Sequence, residues 1–400
     1  MKSILGADWL TADETLAVMT ALDKARKGGS RFVGGCVRNA IMGRAAAKED
    51  IDIATQLEPD AVIEALEAAG IRAIPTGIEH GTITAVTNST PFEITTLRRD
   101  VETDGRRAVV AFTEDWAEDA GRRDFRLNAI YAEADGTLHD PTGGGITDAE
   151  TGHVIFIGDA DTRLREDYLR ILRFFRFNAW YGAGIDEEGL AACERQKEGL
   201  KQIAVERIWK ELHKLLAAPD PSVAVEAMDR SGVLSILMPE AVMVDGLYDL
   251  RVTEALLKVR PDPMLRLMSL LPRTAAAVVG VSKRLRMSNA ETERISRWAA
   301  DNLPDPTGFN GRELRRALYW HGPQAVVDRA MLSGQDVRDL VHAILAWRRP
   351  AFPVGGDDAL AVGLKGPEIG QALRKLEEWW IDQDFQPERE ELLGRLEKNL

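Results

Sequence analysis

The sequence predicts an α+β protein, with a strand-containing head to about residue 155 and a chain that is helical from there onward. Three observations lead to this. Short β-rich runs alternate with helix-compatible segments up to residue 155. From about residue 162 apolar residues recur at helical spacing over long stretches. Pro and Gly punctuate those stretches near 219–221, 260–263, 304–310 and 350–367. Four hundred residues leave room for more than one core, and the changes of texture divide the chain at 1–155, 156–238 and 239–400.

The elements follow in order. RFVGG is an apolar run ending in a Gly pair, and CVRNAIMG continues at helical spacing. DIDIA reads as a strand. EPDAVIEALEAAG reads as a helix, with Pro59 near its start and Gly70 as its stop. GTITAVTN and PFEITTLR are two β-rich runs joined by Asn-Ser-Thr-Pro, as adjacent strands would be. RLNAIYAEADGTLHD carries a strand at 127–131, an Asp-Gly turn and a short return. Helices are then expected over 163–179, 203–217, 222–234 and 247–258, with EIGQALRKLEEWW (368–380) the last strongly amphipathic one.

Composition is that of a water-soluble globular chain, 45% hydrophobic and 29% charged. The first twenty residues hold acids and do not read as a signal peptide. No apolar run is long enough for a membrane span. Two cysteines, Cys36 and Cys193, suit a reducing cytoplasm and cannot build a zinc site alone. A net charge of −13 argues against a wholly basic nucleic-acid surface but leaves room for a local basic groove.

The segment KEDIDIAT sets Asp50 and Asp52 two residues apart, hence on one face of a strand, with Ile51 and Ile53 on the other. They are either charges on a solvated edge or oxygen ligands for a divalent cation such as magnesium. PFEITTLRRD offers Glu93 as a third carboxylate from a second strand, or as an ordinary surface glutamate. Upstream, Gly34-Gly35 precedes a helix; such a turn lets backbone approach a phosphate, and Arg38 one turn later adds charge. Acids beside a phosphate-type turn point to phosphoryl or nucleotidyl transfer.

Two arginine clusters accompany them. In GRRDFRLNA, Arg122, Arg123 and Arg126 suit triphosphate or RNA backbone, Asp124 can accept from a ribose hydroxyl, and Asn128 offers donor and acceptor. A salt-bridged cap before a strand reads the same. In RLREDYLRILRFFRF, Arg170, Arg173 and Arg176 recur every three residues, and Asp167 lies three before Arg170. An Asp–Arg pair on one helix face can imitate a base-pairing edge, or be a plain intrahelical ion pair. The phenylalanines between them are spaced as core.

Together these stretches resemble the class II tRNA nucleotidyltransferase and bacterial poly(A) polymerase family of the polymerase β superfamily. GGCVRNAIMGR with KEDIDIAT is similar to its nucleotide-binding turn and metal acids, RRDFRLNA to its ribose motif, DPTGGGITD (140–148) to the approach to its neck, REDYLRILRFFRF to its base-selecting helix, and AVERIWKEL (204–212) to the next neck helix. The resemblance covers about 30–235. It implies a polymerase-β-like nucleotidyltransferase head (1–155), an all-helical neck with base-selecting and RNA-binding helices (156–238) and a helical body and tail for tRNA (239–400). It further implies Asp50 and Asp52 as ligands of Mg2+; Glu93, read from the second strand, is the candidate third catalytic carboxylate. Nucleotide would be bound by Gly34, Gly35, Arg38, Arg123, Asp124, Asn128, Asp167, Arg170, Arg173 and Arg176. The implied reaction is stepwise addition of CMP and AMP from CTP and ATP to a tRNA 3′ end, with release of pyrophosphate. Residues 97–125 would hold a flexible loop, with Gly105 in it, that helps the switch from CTP to ATP.

Two positions depart from the family pattern: Asn39 stands where an aspartate is usual and Arg126 where a threonine is usual. Neither touches the acid pair, so activity is expected. The loss of charge at Asn39 is expected to weaken its contact with Arg38. Poly(A) synthesis and partial CC- or A-addition are the alternatives within the family. An inert RNA-binding protein would lack the acid pair or the Gly turn, and both are present. The sequence leaves oligomeric state open.

Overall fold

The computed structural model describes residues 3–44, 50–103, 108–300 and 302–398. The chain divides into two units, Met1–Pro239 and Glu240–Leu400. Strands of the first unit are β1 (Ser30–Val33), β2 (Ile51–Thr55), β3 (Arg72–Gly77), β4 (Thr82–Thr87), β5 (Thr90–Thr96), β6 (Arg98–Thr103), β7 (Ala108–Phe112), β8 (Tyr131–Ala132) and β9 (Leu138–His139). Seven form one sheet in the order β3-β4-β5-β2-β1-β8-β9, and β6 and β7 make a separate hairpin. Among the described residues only the β2–β5 pairing is parallel; it sets Ile51 against Phe92, Asp52 against Glu93 and Ile53 against Ile94. Ile51, Ile53, Phe92 and Ile94 are all buried, so the two-residue period drives one face into the core and leaves the acids on the other.

Helices of this unit are α1 (Asp13–Ala25), α2 (Gly35–Ile41), α3 (Pro59–Ala68), α4 (Trp116–Gly121), α5 (Gly145–Thr151), α6 (Ala160–Glu166), α7 (Leu169–Tyr181), α8 (Glu187–Gln196), α9 (Val205–Leu216), α10 (Ser222–Arg230) and α11 (Val233–Leu237). The helix α3 starts with Pro59 in its first turn and buries Val62 and Leu66. Turns β4–β5 and β8–β9 lie where the sequence puts them, the former through Asn88 and Ser89 at positive φ.

Three expectations need correction. The stretch 163–179 is not one helix: it breaks at Asp167, whose φ of −150° and ψ of 104° are extended. The carboxylate there accepts from the Leu169 N–H at 3.0 Å, starting α7 afresh. The stretch 222–234 is likewise two helices, parted at Gly232 with φ 72°. Residues Arg126–Asn128 form a 3-10 turn before the short β8 rather than a strand from 127. Within 97–125 the described residues form the β6–β7 hairpin and α4; Gly105, in the expected loop, lies outside the described residues, as do Lys48 and Glu49.

The second unit is helical among its described residues: α12 (Val244–Leu257), α13 (Pro263–Ser269), α14 (Ala275–Arg284), α15 (Asn289–Ala299), α16 (Gly311–Met331), α17 (Arg338–Ala346), α18 (Gly356–Ala361), α19 (Pro367–Asp382) and α20 (Arg389–Glu397). Tyr319, Leu376, Trp380, Ile381, Leu392 and Leu396 form one of its cores. A buried ion pair, Arg266–Glu254 at 2.7 Å, joins α13 to α12. Arg294 ties Asp328 (2.8 Å) and Asp262 (2.6 Å) across three helices. No helix among the described residues is long and apolar enough to cross a membrane.

Candidate active site

The site is built where β1 ends. Val33 pairs with Asp52 across the antiparallel β1–β2 ladder, and the next residue, Gly34, turns the chain with φ 79° and ψ −128°. A Cβ at Gly34 would stand 3.4 Å from the Asp52 Oδ2. Backbone and carboxylate therefore share one small space, and the turn occupies a conformation that favours glycine. Asp52 is flanked on its other side by Glu93 in register; Asp50 and Glu93 are exposed and Asp52 is half-buried.

Burial first, then the Glu93 charge, with Asp50 adding to it, pushes the Asp52 carboxyl up to about 6; Arg123 and Arg38 only partly offset this. Among the described residues no three His, Cys, Asp or Glu side chains close a cation cage. The donor set still fits a hard cation. Carboxylates that repel one another, with oxygen as their only donor atom, form an open site that a divalent ion relieves while keeping room for waters and phosphates.

Arg38 is buried behind the turn. Its Nε and Nη2 donate to the Asn39 Oδ1 (3.2 and 2.9 Å), its Nη1 to the Asn128 Oδ1 (2.5 Å), and it lies 3.8 Å from the Tyr181 ring centre. The contact that the missing aspartate would make is thus kept by an amide oxygen. Arg126 has a structural partner: its Nε and Nη2 donate to Asp148 at 2.7 and 3.0 Å. That bond fastens the 126–128 turn onto α5, and Gly144 and Gly145 allow the approach. A Cβ at Gly145 would come within 2.4 Å of the Arg126 carbonyl oxygen.

The two arginine clusters prove to be one network. Asp124 receives the Arg170 Nε on Oδ1 at 3.0 Å and the Arg173 Nε on Oδ2. Burial would raise its pKa, but Arg173 and Arg170 hold it below the usual carboxylate value. Arg170 also donates from Nη1 to the Arg163 carbonyl (2.7 Å) and Glu166 (2.5 Å), and from Nη2 to the Arg122 carbonyl (3.4 Å). Asp167 receives Arg207 of α9 at 3.0 Å. Arg176 points elsewhere, donating to Glu211 of α9 at 2.6 Å. Side-chain exposure separates the three helical arginines: 9% for Arg170, 14% for Arg176 and 34% for Arg173, which is the one open to solvent.

Sequence reasoning passed over Asp119. It is buried, receives Arg122 and Arg123 at 2.7 and 3.0 Å, and accepts the Tyr131 hydroxyl at 2.6 Å. Its spacing of three and four residues from those arginines was the available signal. Arg163, which donates to the carbonyls of Arg122 and Arg123 at 2.6 and 2.8 Å, and Arg207 were also missed; their partners lie 40 or more residues away.

Comparison with known proteins bears on this arrangement. The family model described as "Poly A polymerase head domain" matches residues 30–155, and "Probable RNA and SrmB- binding site of polymerase A" matches 184–243. The mouse protein "CCA tRNA nucleotidyltransferase 1, mitochondrial" is 34% identical over 96% of this chain and 90% of its own length. Its human counterpart is 35% identical over 92% and 86%. The chain belongs to the CCA tRNA nucleotidyltransferase family. Its fold is also that of the Bacillus stearothermophilus CCA-adding enzyme solved with CTP, with a TM-score of 0.78 at 24% identity over 100% of this chain and 98% of that one.

Membership makes the chain a nucleotidyltransferase of the polymerase β superfamily and implies a divalent-metal cofactor. The two family models leave a gap between 155 and 184. Asp167, Arg170, Arg173 and Arg176 all fall in it, outside both family models, while the relatives matched over more than nine-tenths of the chain span the arginine helix.

Proposed function

We propose that this chain transfers CMP and then AMP from CTP and ATP to the 3′ end of tRNA, building or repairing the CCA terminus with release of pyrophosphate. The observation that carries the reading is the shared space of Gly34 and Asp52, a tight backbone turn set directly against a carboxylate with a raised pKa. Likeness to CCA nucleotidyltransferases over nearly the whole chain supports the tRNA end as acceptor.

In this reading Asp50 and Asp52 hold the cation, and magnesium suits an open pair of oxygen donors. Bound there, it would supply charge neutralisation on the triphosphate and acidify the attacking 3′ hydroxyl. The chain's own groups do the rest. The Gly34-Gly35 backbone lies close to the triphosphate, while Arg38 and Arg123 contribute positive potential already felt at Asp52. Glu93 adds a third carboxylate beside the reacting end. Asn128 gives its acceptor to Arg38 and presents its amide N–H groups to the ribose. Asp124 accepts from a ribose hydroxyl on the lone pairs that Arg170 and Arg173 leave.

Base choice falls to Asp167 and Arg170, with Arg173 and Arg176 on the same helix. Arg170 has one of its five N–H groups uncommitted. A bidentate contact to a base therefore requires the nucleotide to displace one present acceptor. The residues divide as head 1–155, neck 156–238 and tRNA-binding body and tail 239–400. Cytoplasmic placement accords with Cys36 and Cys193 forming no disulfide.

The test is one assay of purified protein with magnesium, CTP and ATP separately and together, on tRNAs ending at the discriminator base, at C and at CC. Completion to CCA on all three supports the proposal; a poly(A) ladder, or arrest after CC, overturns it.

A further inference from the structure

In the second unit a cavity of about 230 Å3 opens between α12, α13, α15 and the end of α16. Its lining includes Arg273, Arg329, Trp298, Ser333 and Gly334. Trp298 is 3% exposed, yet its indole Nε1–H has no hydrogen-bond partner. The Arg329 Nε–H is buried and without an acceptor as well. Arg273 uses Nη1 to close the end of α15, donating to the Ala300 carbonyl at 2.8 Å. Burial, and then the like charge of Arg273, lower the pKa of Arg329, with Asp305 acting the other way. Asp249, which also lines the cavity, is exposed.

Two guanidiniums set together, and two buried donors left unsatisfied, are costly arrangements unless an acceptor enters. None of the lining side chains gives either donor an acceptor, and an anion entering the cavity would relieve the repulsion between the arginines. We infer that this cavity is an oxyanion site of the phosphate class, with the Trp298 Nε1–H and the Arg329 guanidinium as its donors and Arg273 as supporting charge. Two sources carry that chemistry: a backbone phosphate of bound RNA, and free phosphate or pyrophosphate.

The full-length protein carrying 15N-labelled tryptophan reports on the site directly, with Trp298→Phe identifying its indole resonance among the nine. Inorganic phosphate, pyrophosphate and tRNA are titrated in turn. Saturable movement of the Trp298 resonance is expected, with at least ten-fold weaker response in Arg329→Met and partial retention in Arg329→Lys. Movement with tRNA identifies a backbone phosphate as the occupant; movement with the small anions alone identifies the free ion. An unmoved Trp298 resonance in the wild-type protein with all three overturns the site. So does a response that Arg329→Met, its other indole resonances unchanged, leaves at full strength.

Discussion

Two aspartates of the head sit on opposite sides of the ordinary carboxylate value, and the difference separates their work. Asp119 is fully buried, which by itself would raise its pKa, but Arg123, Arg122 and the Tyr131 hydroxyl bring it down to about 2. Its folded value lies below the unbound 3.8, so its contribution is present above pH 3.8 and is lost as pH falls towards 2. Asp119→Asn should cost about 2 kcal/mol at pH 7 and flatten the acid limb of stability, measurable by urea denaturation at several pH values. Asp52 is the reverse, a carboxyl pushed up by burial and by Glu93 with no guanidinium bonded to it. Neutralising it removes repulsion. Asp52→Asn should therefore fold as well as the parent yet transfer on the order of 10³-fold more slowly; near-normal turnover would refute the ligand role. Strand alternation alone made Asp52 and Glu93 legible in the sequence. The value of Asp119 was hidden because DAGRR reads as ordinary surface charge until burial is known.

The break between α6 and α7 gives the arginine network its shape. Neither Gly nor Pro marks it, so helical periodicity ran straight through Asp167 and the sequence suggested one helix face where the chain forms a corner. Gly232, by contrast, was visible as a residue but not as a break. Tyr168, at that corner, lies against Gly199, where a Cβ would come within 2.1 to 2.3 Å of three ring carbons. Gly199→Ala must displace the ring, at about 1–3 kcal/mol by overpacking, and shift the adjacent Asp167. Thermal melting and the CTP-to-ATP ratio of kcat/KM should move together in this variant. Arg207→Met tests the corner from the other side. Its ion pair with Asp167 is partly exposed and contributes little to stability. Melting should hardly change while discrimination between CTP and ATP shifts several-fold; an unchanged ratio would mean that Asp167 needs no anchor from α9. No local pattern foretold this pair, because 40 residues separate its members.

At the scale of the molecule, folding and metal dependence are separable. Each unit has buried cores of its own, and no cage of three ligating side chains staples either among the described residues. A cation held at Asp50 and Asp52, as proposed, would therefore add to stability only by mass action on an existing fold. At a tenfold excess over its Kd that amounts to about 1.4 kcal/mol. For a unit the size of Met1–Pro239, each kcal/mol moves the midpoint by about 2–4 °C. Chelation should thus abolish nucleotide transfer while lowering the first melting transition by about 3–6 °C, and Asp52→Asn should melt identically with and without metal. Loss of the folded state on chelation would instead assign the metal a structural role. Full activity in the chelated enzyme would remove the carboxylate pair from the chemistry, leaving its repulsion unexplained.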